Sequence, residues 1–364
     1  MYISIPVLGL LGVGGYAFMN QSKLGKAPSG ERKIRIENSP YFRKGQFQNL
    51  RDTPSFTEGA NYFTVLKKFL FEKDKRSTPQ QAIPTVKTDL KNLDIQEEVL
   101  VWFGHSSYYF QIDGKKILVD PVFSGHASPV SFSTKAFKGT HIFNTEDIPE
   151  IDYLFLTHDH WDHLNYETVV KLKPKIKKII TGLGTGEHLE SWGFNPNLII
   201  EKDWNEEILL PGGFKVNTVP ARHFSGRGFK RNGVLWTSFV LQTPSYKMFL
   251  GGDSGYDDHF KEIGEKFGPF DLALLENGQY NKHWKYIHMM PEETLQAAKD
   301  LRTKKLLPVH NSKFALANHS WDAPLRTISS LHHHHFKLLT PKIGEKVYLK
   351  SEDQQFSRWW EEIN

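Results

Sequence analysis

The 364-residue sequence contains no cysteine. Disulfide bonds and thiolate metal ligands are therefore excluded, and the redox compartment of the protein stays undetermined. Zinc-finger and RNA-binding signatures are also missing from the sequence, and no internal repeat is visible. The net charge of +5 favours an anionic surface such as phospholipid, although charge alone leaves nucleic acid open. The length allows one large α/β domain or two smaller ones.

Long apolar runs are scarce, and the one that exists lies at the N-terminus. Residues Ile3–Met19 carry no charge, and their length is at the short limit for a membrane span. A secretory signal would normally begin with lysine or arginine, and neither precedes this run. Basic residues follow it instead: Lys23, Lys26, Arg32 and Lys33. By the positive-inside tendency, residues 1–20 are predicted to be an uncleaved anchor with the rest of the chain on the cytoplasmic side of a membrane.

Two alternatives to an anchor remain open for this segment. The first is a cleaved signal peptide, which would give a periplasmic or secreted protein. The second is a segment packed on the protein itself.

The rest of the chain divides by composition into three parts. Residues 21–96 are polar, basic and interrupted by proline, and we interpret them as a linker and N-terminal extension with one helix-like segment, Asn61–Lys73. The main domain is predicted over 97–350, and a C-terminal tail over 351–364.

Apolar runs in the main domain alternate between strand-like and helix-like patterns. Strands are predicted over Val99–Phe103, Ser107–Ile112, Lys116–Val119, Ile151–Leu156, Lys177–Thr181, Phe214–Val219, Tyr246–Leu250 and Lys305–Leu307. Helices are predicted over Tyr166–Leu172, Asp258–Phe267 and Pro291–Leu301. Strands alternating with helices are typical of an α/β sandwich.

A dense group of histidine and aspartate residues directly follows Ile151–Leu156. The sequence there reads Thr157-His158-Asp159-His160-Trp161-Asp162-His163. If the backbone turns sharply after the strand, His158 and His160 can converge on one metal while Asp162 and His163 reach a second. Imidazole and carboxylate ligands without thiolate suit zinc, and also iron or manganese. The alternative is a polar turn that happens to be rich in histidine.

Three further candidate ligands follow strand-like runs later in the chain. They are His223, Asp253 and His310. Strand ends gather functional groups in α/β folds, since the loops there vary while the sheet holds them in place. Taken singly, each would more often be an ordinary core or surface residue. Together with the first motif, they predict a two-metal site.

This set of ligands, in this order, resembles the metallo-β-lactamase superfamily of binuclear metallohydrolases. The resemblance implies a four-layer αβ/βα sandwich, the metallo-β-lactamase fold, with two zinc ions at one edge and a bridging hydroxide as nucleophile. The first metal would be held by His158, His160 and His223. The second would be held by Asp162, His163 and His310. Asp253 would bridge the two.

Other segments resemble one branch of the superfamily, the N-acylphosphatidylethanolamine-hydrolysing phospholipases D. The matching segments are Trp102–Ser107, Leu118–Ser124, Ala127–Pro129, Val234–Ser238, Gly251–Tyr256, Phe267–Ala273, His288–Glu293 and Phe314–Asn318. This resemblance implies a zinc-dependent phosphodiesterase that produces phosphatidic acid and an N-acylethanolamine. It further implies a phospholipid substrate, a membrane surface rather than nucleic acid as partner, and a homodimer.

The same resemblance assigns roles to further residues. His288 completes a catalytic set with Asp162 and Asp253, and would give a proton to the leaving alkoxide or bind the phosphate. A histidine that is merely hydrogen-bonded at a helix N-terminus is the alternative. Asp120 is expected to accept the second N–H of a metal-bound imidazole. His105 is expected to line the metal pocket.

The sequence departs from this branch near the expected substrate entrance. Phe224 stands where the family usually has tryptophan, and Leu275–Tyr280 places a carboxylate and an amide where relatives have a more apolar turn. A binuclear hydrolase of a soluble ester, lactone or phosphodiester is therefore the alternative function. A non-catalytic membrane or nucleic-acid adaptor is disfavoured by the complete ligand set. Arg222 and Arg227 could meet lipid phosphate, although surface charge is the ordinary interpretation.

Two further patterns have simpler interpretations than ligand binding. Gly182–Gly186 lacks the Gly-x-Gly-x-x-Gly spacing of dinucleotide sites, so it predicts a tight turn from strand to helix. The tetrad His332–His335 follows helix-like Arg326–Leu331 and is predicted to be an exposed helix end that could bind metal adventitiously.

Overall fold

The structure is a computed structural model that describes residues 15, 18–61, 63, 65, 67, 71–72, 74–333 and 335–363. The predicted anchor therefore lies mostly outside the described residues, as does part of the predicted helix Asn61–Lys73. Among the helices that are described, none has the length and apolar character needed to cross a membrane.

The extension before the main domain contains a helix and a small hairpin. Helix α1 spans Gly30–Glu37, and strands β1 (Phe42–Arg43) and β2 (Gln46–Phe47) pair antiparallel. Neither was predicted, because these elements are short and α1 buries only Ile36. Such a helix gains its stability from contacts with the rest of the protein.

Two seven-stranded sheets form the body of the protein. The first sheet contains β3 (Val99–Trp102), β4 (Tyr108–Ile112), β5 (Lys115–Val119), β6 (Ile151–Leu156), β7 (Ile176–Gly182), β8 (Ile199–Lys202) and β16 (Lys346–Tyr348), in the order β16-β3-β4-β5-β6-β7-β8. The second contains β9 (Glu207–Leu210), β10 (Phe214–Val219), β11 (Ser238–Gln242), β12 (Lys247–Leu250), β13 (Leu272–Glu276), β14 (Lys305–Val309) and β15 (Lys337–Leu338), in the order β15-β14-β13-β12-β11-β10-β9.

Further α-helices accompany the sheets. They are α2 (Tyr166–Leu172), α3 (Gly186–Ser191), α4 (His259–Phe267), α5 (Pro291–Asp300) and α6 (Ala323–Leu331). The predicted helices correspond to α2, α4 and α5 within one residue at each end. Gly182 ends β7 and Gly186 begins α3, so the glycine-rich segment is the predicted strand-to-helix turn.

The alternation of side chains along the strands explains the layers. In β3, Leu100 and Trp102 belong to a core shared with the second sheet, whereas Val99 and Val101 pack in a separate core that includes α2. In β13, Leu272 and Leu274 join the shared core, and Ala273 and Leu275 pack with α4 and α5. Because β3 and β13 are buried at every position, their sequences are apolar almost throughout. This is the predicted four-layer αβ/βα sandwich of the metallo-β-lactamase fold.

Both chain ends that are described pack against this sandwich. Arg32 of α1 forms ion pairs with Glu187, Glu190 and Glu201 of the main domain. In the predicted C-terminal tail 351–364, Trp359 and Trp360 are buried in the shared core. This segment therefore contributes to the core instead of trailing from the domain.

Candidate metal centre and its cavity

The predicted ligands all follow strands that end at one edge of the sandwich. In the first sheet, β3, β5 and β6 run in the same direction, and their C-terminal ends lead to His105, Asp120 and the 157–163 loop. In the second sheet, β10, β12 and β14 share one direction and lead to His223, Asp253 and His310. Residues that are far apart in sequence therefore meet in one crevice outside the carboxyl ends of the strands.

The first predicted ligand set forms a compact cluster. His160 Nδ1 lies 2.9 Å from His158 Nε2 and 3.3 Å from His223 Nε2. Asp253 Oδ2 lies 3.8 Å from His158 Nε2 and 3.7 Å from His223 Nε2. One donor atom from each residue falls within 4.8 Å of all the others, so the four side chains could hold one metal ion.

The protonation state of the histidines in this cluster leaves lone pairs on ring nitrogens that can bind a metal. His223 Nδ1 donates to the carbonyl oxygen of Ile287 at 2.9 Å, so the Nε2 lone pair of a neutral ring faces the cluster. Burial lowers the pKa of His158 and His223 well below the ordinary value, which favours neutral imidazoles. Neutral imidazole is the form that binds metal.

The second predicted set forms an adjoining cluster around Asp253 and Asp162. His163 Nε2 lies 3.2 Å from Asp253 Oδ2 and 3.6 Å from Asp162 Oδ2. His310 Nδ1 lies 2.8 Å from Asp253 Oδ1, and His310 Nε2 lies 3.9 Å from Asp162 Oδ2. Asp253 therefore contacts histidines of both sets, which is the position expected of a bridging carboxylate.

The donor atoms of the second cluster fit a divalent cation. Among the described residues, His163 Nε2 and Asp253 Oδ1 are buried and make no hydrogen bond of regular geometry. Burial opposes protonation of His163, but Asp253 and Asp162 raise the pKa of this imidazole well above its ordinary value. The same carboxylates would favour a metal cation at this position, and a cation would satisfy the atoms that the protein leaves unpaired.

Asp120 lies where the sequence analysis expected a partner of a ligand imidazole. Its Oδ2 accepts a hydrogen bond from His163 Nδ1 at 2.8 Å, which directs His163 Nε2 toward Asp253. Asp120, His105 and His310 all have positive φ angles, at 41°, 54° and 65°. Backbone strain of this kind is concentrated at functional sites, where the surrounding structure holds it in place.

His105 lies behind the cavity wall instead of lining the cavity. Its Nε2 is 2.8 Å from Asp162 Oδ2, and the ring is fully buried. Asp162 lines the cavity and His105 does not, so the expected role of His105 in the metal pocket stays a prediction. His105 nevertheless belongs to a cluster with Asp162, His163 and His310 whose donor atoms could hold a metal.

His288 lines the cavity and is paired with a carboxylate that the sequence analysis did not assign. Its Nδ1 lies 2.6 Å from Oε2 of Glu276, which ends β13. Burial lowers the pKa of His288, but the charge of Glu276 overcomes this effect and raises the pKa to about 9. Two backbone N–H groups, of Ser254 and Met289, stabilise the ionised form of Glu276.

A cavity of about 260 Å³ opens over the two clusters. Histidine and aspartate side chains on its wall are His160, Asp162, His223, Asp253, His288 and His310. Apolar side chains on its wall are Phe56, Phe224, Trp284, Ile287 and Leu316. The remaining lining residues are Ser55, Arg231 and Gln279. The cavity therefore places metal-ligating groups, an arginine and an apolar wall in the same space.

Arg222 and Arg227 are committed to internal contacts. Arg222 donates to Thr53 Oγ1 and to the carbonyl oxygens of Asp52 and Tyr256. Arg227 is 5% exposed and donates to backbone carbonyl oxygens, among them that of Asp159 at 2.7 Å. Interpreting Arg227 as a surface charge was therefore wrong, and neither arginine lines the cavity.

Sequence reasoning missed several residues that position the site. Asn49, in the N-terminal extension, donates to the carbonyl oxygen of His223 at 2.8 Å and accepts from the N–H of His223 at 3.1 Å. Gln279 donates to the carbonyl oxygen of His310 at 3.3 Å. No motif identifies such residues, because their side chains act on backbone groups that are distant in sequence. Arg231 and Glu276 belong to no recognisable motif in the sequence and become informative only beside the cavity.

Comparison with known proteins agrees with this architecture. A family model described as the beta-lactamase superfamily domain matches residues 115–311. The chain is 35% identical to an uncharacterised protein of Mycobacterium tuberculosis over 329 residues, which cover 89% of this chain and 88% of that protein. It is 32% identical over 222 residues to a Caenorhabditis elegans protein named N-acyl-phosphatidylethanolamine-hydrolyzing phospholipase D 1, covering 57% of this chain and 62% of the relative.

A solved structure supports the assignment of the fold. A metallo-hydrolase from the archaeon Ignicoccus hospitalis superposes with a TM-score of 0.53 at 23% identity, covering 69% of this chain and 97% of that chain. At this identity the likeness concerns the fold alone. With the family match over most of the sandwich and the histidine–aspartate clusters at its edge, the chain belongs to the metallo-β-lactamase superfamily and is a metal-dependent hydrolase of that superfamily.

Proposed function

We propose that this protein is a phosphodiesterase of the phospholipase D type that hydrolyses N-acylphosphatidylethanolamine to an N-acylethanolamine and phosphatidic acid. The observation that carries the proposal is the composition of the cavity, where Arg231 and an apolar wall face the histidine–aspartate clusters. A phosphodiester with long acyl chains carries one negative charge beside a large apolar surface, and this cavity offers a partner for each. Similarity to the C. elegans phospholipase supports the same substrate class.

Arg231 is the cavity residue whose charge suits the phosphodiester. The guanidinium carbon lies 4.6 Å from the centre of the Phe224 ring, and Nη1 donates to Ser55 Oγ at 3.3 Å. These contacts hold the guanidinium group at the cavity and leave further N–H groups for phosphate oxygens. Phe224, which departs from the family pattern, therefore supports the arginine.

Two zinc ions are proposed as the cofactors. His158, His160 and His223 would hold one ion, Asp162, His163 and His310 would hold the other, and Asp253 would contact both. When bound, the ions would lower the pKa of a water molecule toward neutrality and offset the negative charge of the phosphate. His288 lines the cavity and would protonate the leaving alkoxide oxygen as the P–O bond breaks.

We also propose that the protein acts at a phospholipid surface. A groove lined by Arg43, Lys44 and Arg231 adjoins the cavity, since Ser55 and Arg231 line both. Phe229, in the loop before Arg231, is 92% exposed. Basic side chains in the groove, together with an exposed aromatic ring in the loop before Arg231, suit an anionic lipid interface. The predicted N-terminal anchor would add to this attachment.

The decisive experiment is mass spectrometry of the products formed from N-acylphosphatidylethanolamine in mixed micelles. Zinc-loaded protein is expected to release N-acylethanolamine together with phosphatidic acid, and chelated protein is expected to release neither. If protein shown to hold two metals turns over none of this lipid, the proposal is overturned, and the alternative becomes a soluble ester, lactone or phosphodiester. Activity toward that alternative would not depend on detergent or an interface.

A substitution tests the part of Arg231. Arg231→Gln is expected to raise KM about tenfold, because a charge-assisted hydrogen bond contributes roughly 1.5–3 kcal/mol. Arg358→Gln, on the exposed surface away from the cavity, is the matched control and is expected to leave KM unchanged. An unchanged KM in Arg231→Gln would remove this arginine from the binding site.

A further inference from the structure

Glu276 holds His288 through a set of hydrogen bonds that uses both carboxylate oxygens. Oε2 lies 2.6 Å from His288 Nδ1. Oε1 accepts from the backbone N–H of Met289 at 3.0 Å and from that of Ser254 at 3.2 Å. The side chain is fully buried at the C-terminal end of β13, between the strands that lead to Asp253 and His310. Backbone N–H groups therefore hold the carboxylate at Oε1, and Oε2 is the oxygen that contacts the imidazole.

We propose that Glu276 is a positioning residue that keeps the proton of His288 on Nδ1 and directs Nε2 toward the leaving oxygen of the substrate. The inference rests on the proposed function and adds to it a residue that neither ligand set contains. A carboxylate accepts hydrogen bonds only, so the ring nitrogen that faces it must carry the proton. His288 is one of the residues that line the cavity. Its second ring nitrogen, Nε2, is then the one available to the substrate.

The arrangement specifies how protons move during hydrolysis. A water oxygen forms the new bond to phosphorus and releases its proton to solvent, while the bond from phosphorus to the leaving alkoxide breaks. The proton on His288 Nε2 passes to that alkoxide oxygen, which leaves as an alcohol. His288 then remains neutral with its proton on Nδ1, against Glu276, and regains a proton from solvent. The substrates that need this assistance are diesters with a poor, alkoxide leaving group.

The Glu276→Gln variant reverses the hydrogen bond while preserving the shape of the side chain. The glutamine oxygen would remain with the N–H groups of Met289 and Ser254, since an amide nitrogen cannot accept from them. The amide nitrogen would then face His288 Nδ1 and donate to it. His288 would carry its proton on Nε2 when neutral, and that proton is far too weakly acidic to be transferred.

The first test is independent of activity. In protein labelled with ¹⁵N-histidine, the His288 signals are identified by their absence in His288→Gln, and the shifts of the two ring nitrogens report which one carries the proton. We expect the proton on Nδ1 in the wild type and its loss from Nδ1 in Glu276→Gln. The same protonation pattern in both proteins would overturn the proposal. Glu292→Gln, an exposed glutamate of α5, is the matched control.

The second test compares leaving groups in zinc-loaded protein. Glu276→Gln is expected to lower kcat on N-acylphosphatidylethanolamine roughly 100-fold with little change in KM, the scale of a lost general acid. Bis(p-nitrophenyl) phosphate has a leaving group that needs no proton, so its turnover should fall less than about fivefold by the same reasoning. Equal losses on both substrates would indicate a structural role and overturn the proposal.

The metal content of the Glu276→Gln variant distinguishes a positioning residue from a metal ligand. Glu276, Asp253, His288 and His310 could also hold a cation, and loss of metal in Glu276→Gln would make Glu276 a ligand instead of a positioning residue. If the wild type hydrolyses neither diester but the nitrogen shifts behave as expected, the proposed substrate fails while the Glu276–His288 pairing stands.

Discussion

Thr157 donates two hydrogen bonds to the carboxylate of Asp120, from its backbone N–H at 2.9 Å and from its hydroxyl group at 2.6 Å. Asp120 follows β5 and Thr157 follows β6, so these bonds tie together two neighbouring strand ends. The same carboxylate accepts from His163 Nδ1 at 2.8 Å. Thr157 thereby fixes the group that orients His163, directly before the loop that carries the first ligands.

Replacing the orienting carboxylate is expected to weaken metal binding without removing a ligand. Asp120→Ala should lower the affinity for zinc about 10- to 100-fold, as is usual for a partner of a ligand imidazole. Competition with a chromophoric chelator measures this change. Asp353→Ala, on the exposed surface, is the control and should bind zinc like the wild type. Equal affinity in Asp120→Ala would mean that His163 needs no orienting partner.

The carboxylate shared by both clusters should be essential for metal retention. Asp253→Asn is expected to lower the zinc content per chain, measured by elemental mass spectrometry, while circular dichroism shows a retained fold. Asparagine offers a single neutral oxygen in place of the charged carboxylate that contacts His163 and His310. Full zinc content in the variant would contradict the assignment.

The histidine tetrad is the control for adventitious metal in that experiment. His332 is half-buried, while His333 and His335 are exposed after the end of α6. His333→Ala combined with His335→Ala should remove weakly held zinc and leave the tightly held fraction unchanged.

The ion pairs of Arg32 should contribute strongly to folding stability. Its Nε and Nη1 lie 2.7 Å from Glu201 and 2.8 Å from Glu187, and all three side chains are largely buried. Arg32→Met leaves these carboxylates without their cation and should lower the free energy of unfolding by roughly 3 kcal/mol. Urea denaturation measures this loss. Lys33→Met, in the same helix but exposed, should change the stability by less than about 0.5 kcal/mol.

The contribution of Arg32 should disappear in acid. Burial opposes ionisation of Glu187, but Arg32 and Ser29 lower the pKa of this carboxyl below the ordinary value of 4.5. A lowered pKa in the folded state adds stability above the unfolded-state pKa, and this stability is lost as the pH falls through the folded-state value. The difference between wild type and Arg32→Met should therefore be constant above about pH 5 and shrink below it.

The burial of Lys313 leads us to expect a second rise of stability with pH, this time at alkaline pH. Its Nζ donates to the carbonyl oxygens of Phe103 and Val122, both at 3.0 Å, and burial lowers the pKa of this amine to about 7. Above pH 7 the folded chain loses this proton while the unfolded chain keeps it. The free energy of unfolding should then rise with pH, by up to about 1.4 kcal/mol per unit relative to Lys313→Met. Parallel curves for the two proteins between pH 7.5 and 9.5 would show that Lys313 stays charged.

The sequence by itself determined the class of fold and the candidate ligands. The apolar run Ile151–Leu156 located β6, because a strand that is buried on both faces must be almost continuously apolar. The spacing of His158, His160, Asp162 and His163 indicated metal chemistry, since these residue types are rare in such density. Strand order, which joins β12, β13 and β14 in one sheet, was not visible, because pairing between distant segments leaves no local pattern.

Only the tertiary structure decided what surrounds those ligands. In the sequence, Glu276 is only a charged residue at a turn. The structure shows that its Oε2 lies 2.6 Å from His288 Nδ1, and this contact indicates its role. Asn49 and His223 are far apart in the chain, yet Asn49 holds the backbone of His223 on both sides. The chemistry of a side chain is local and can be read from sequence. Its partner depends on where the folded sheets bring two distant strand ends together, and burial then sets the strength of the contact.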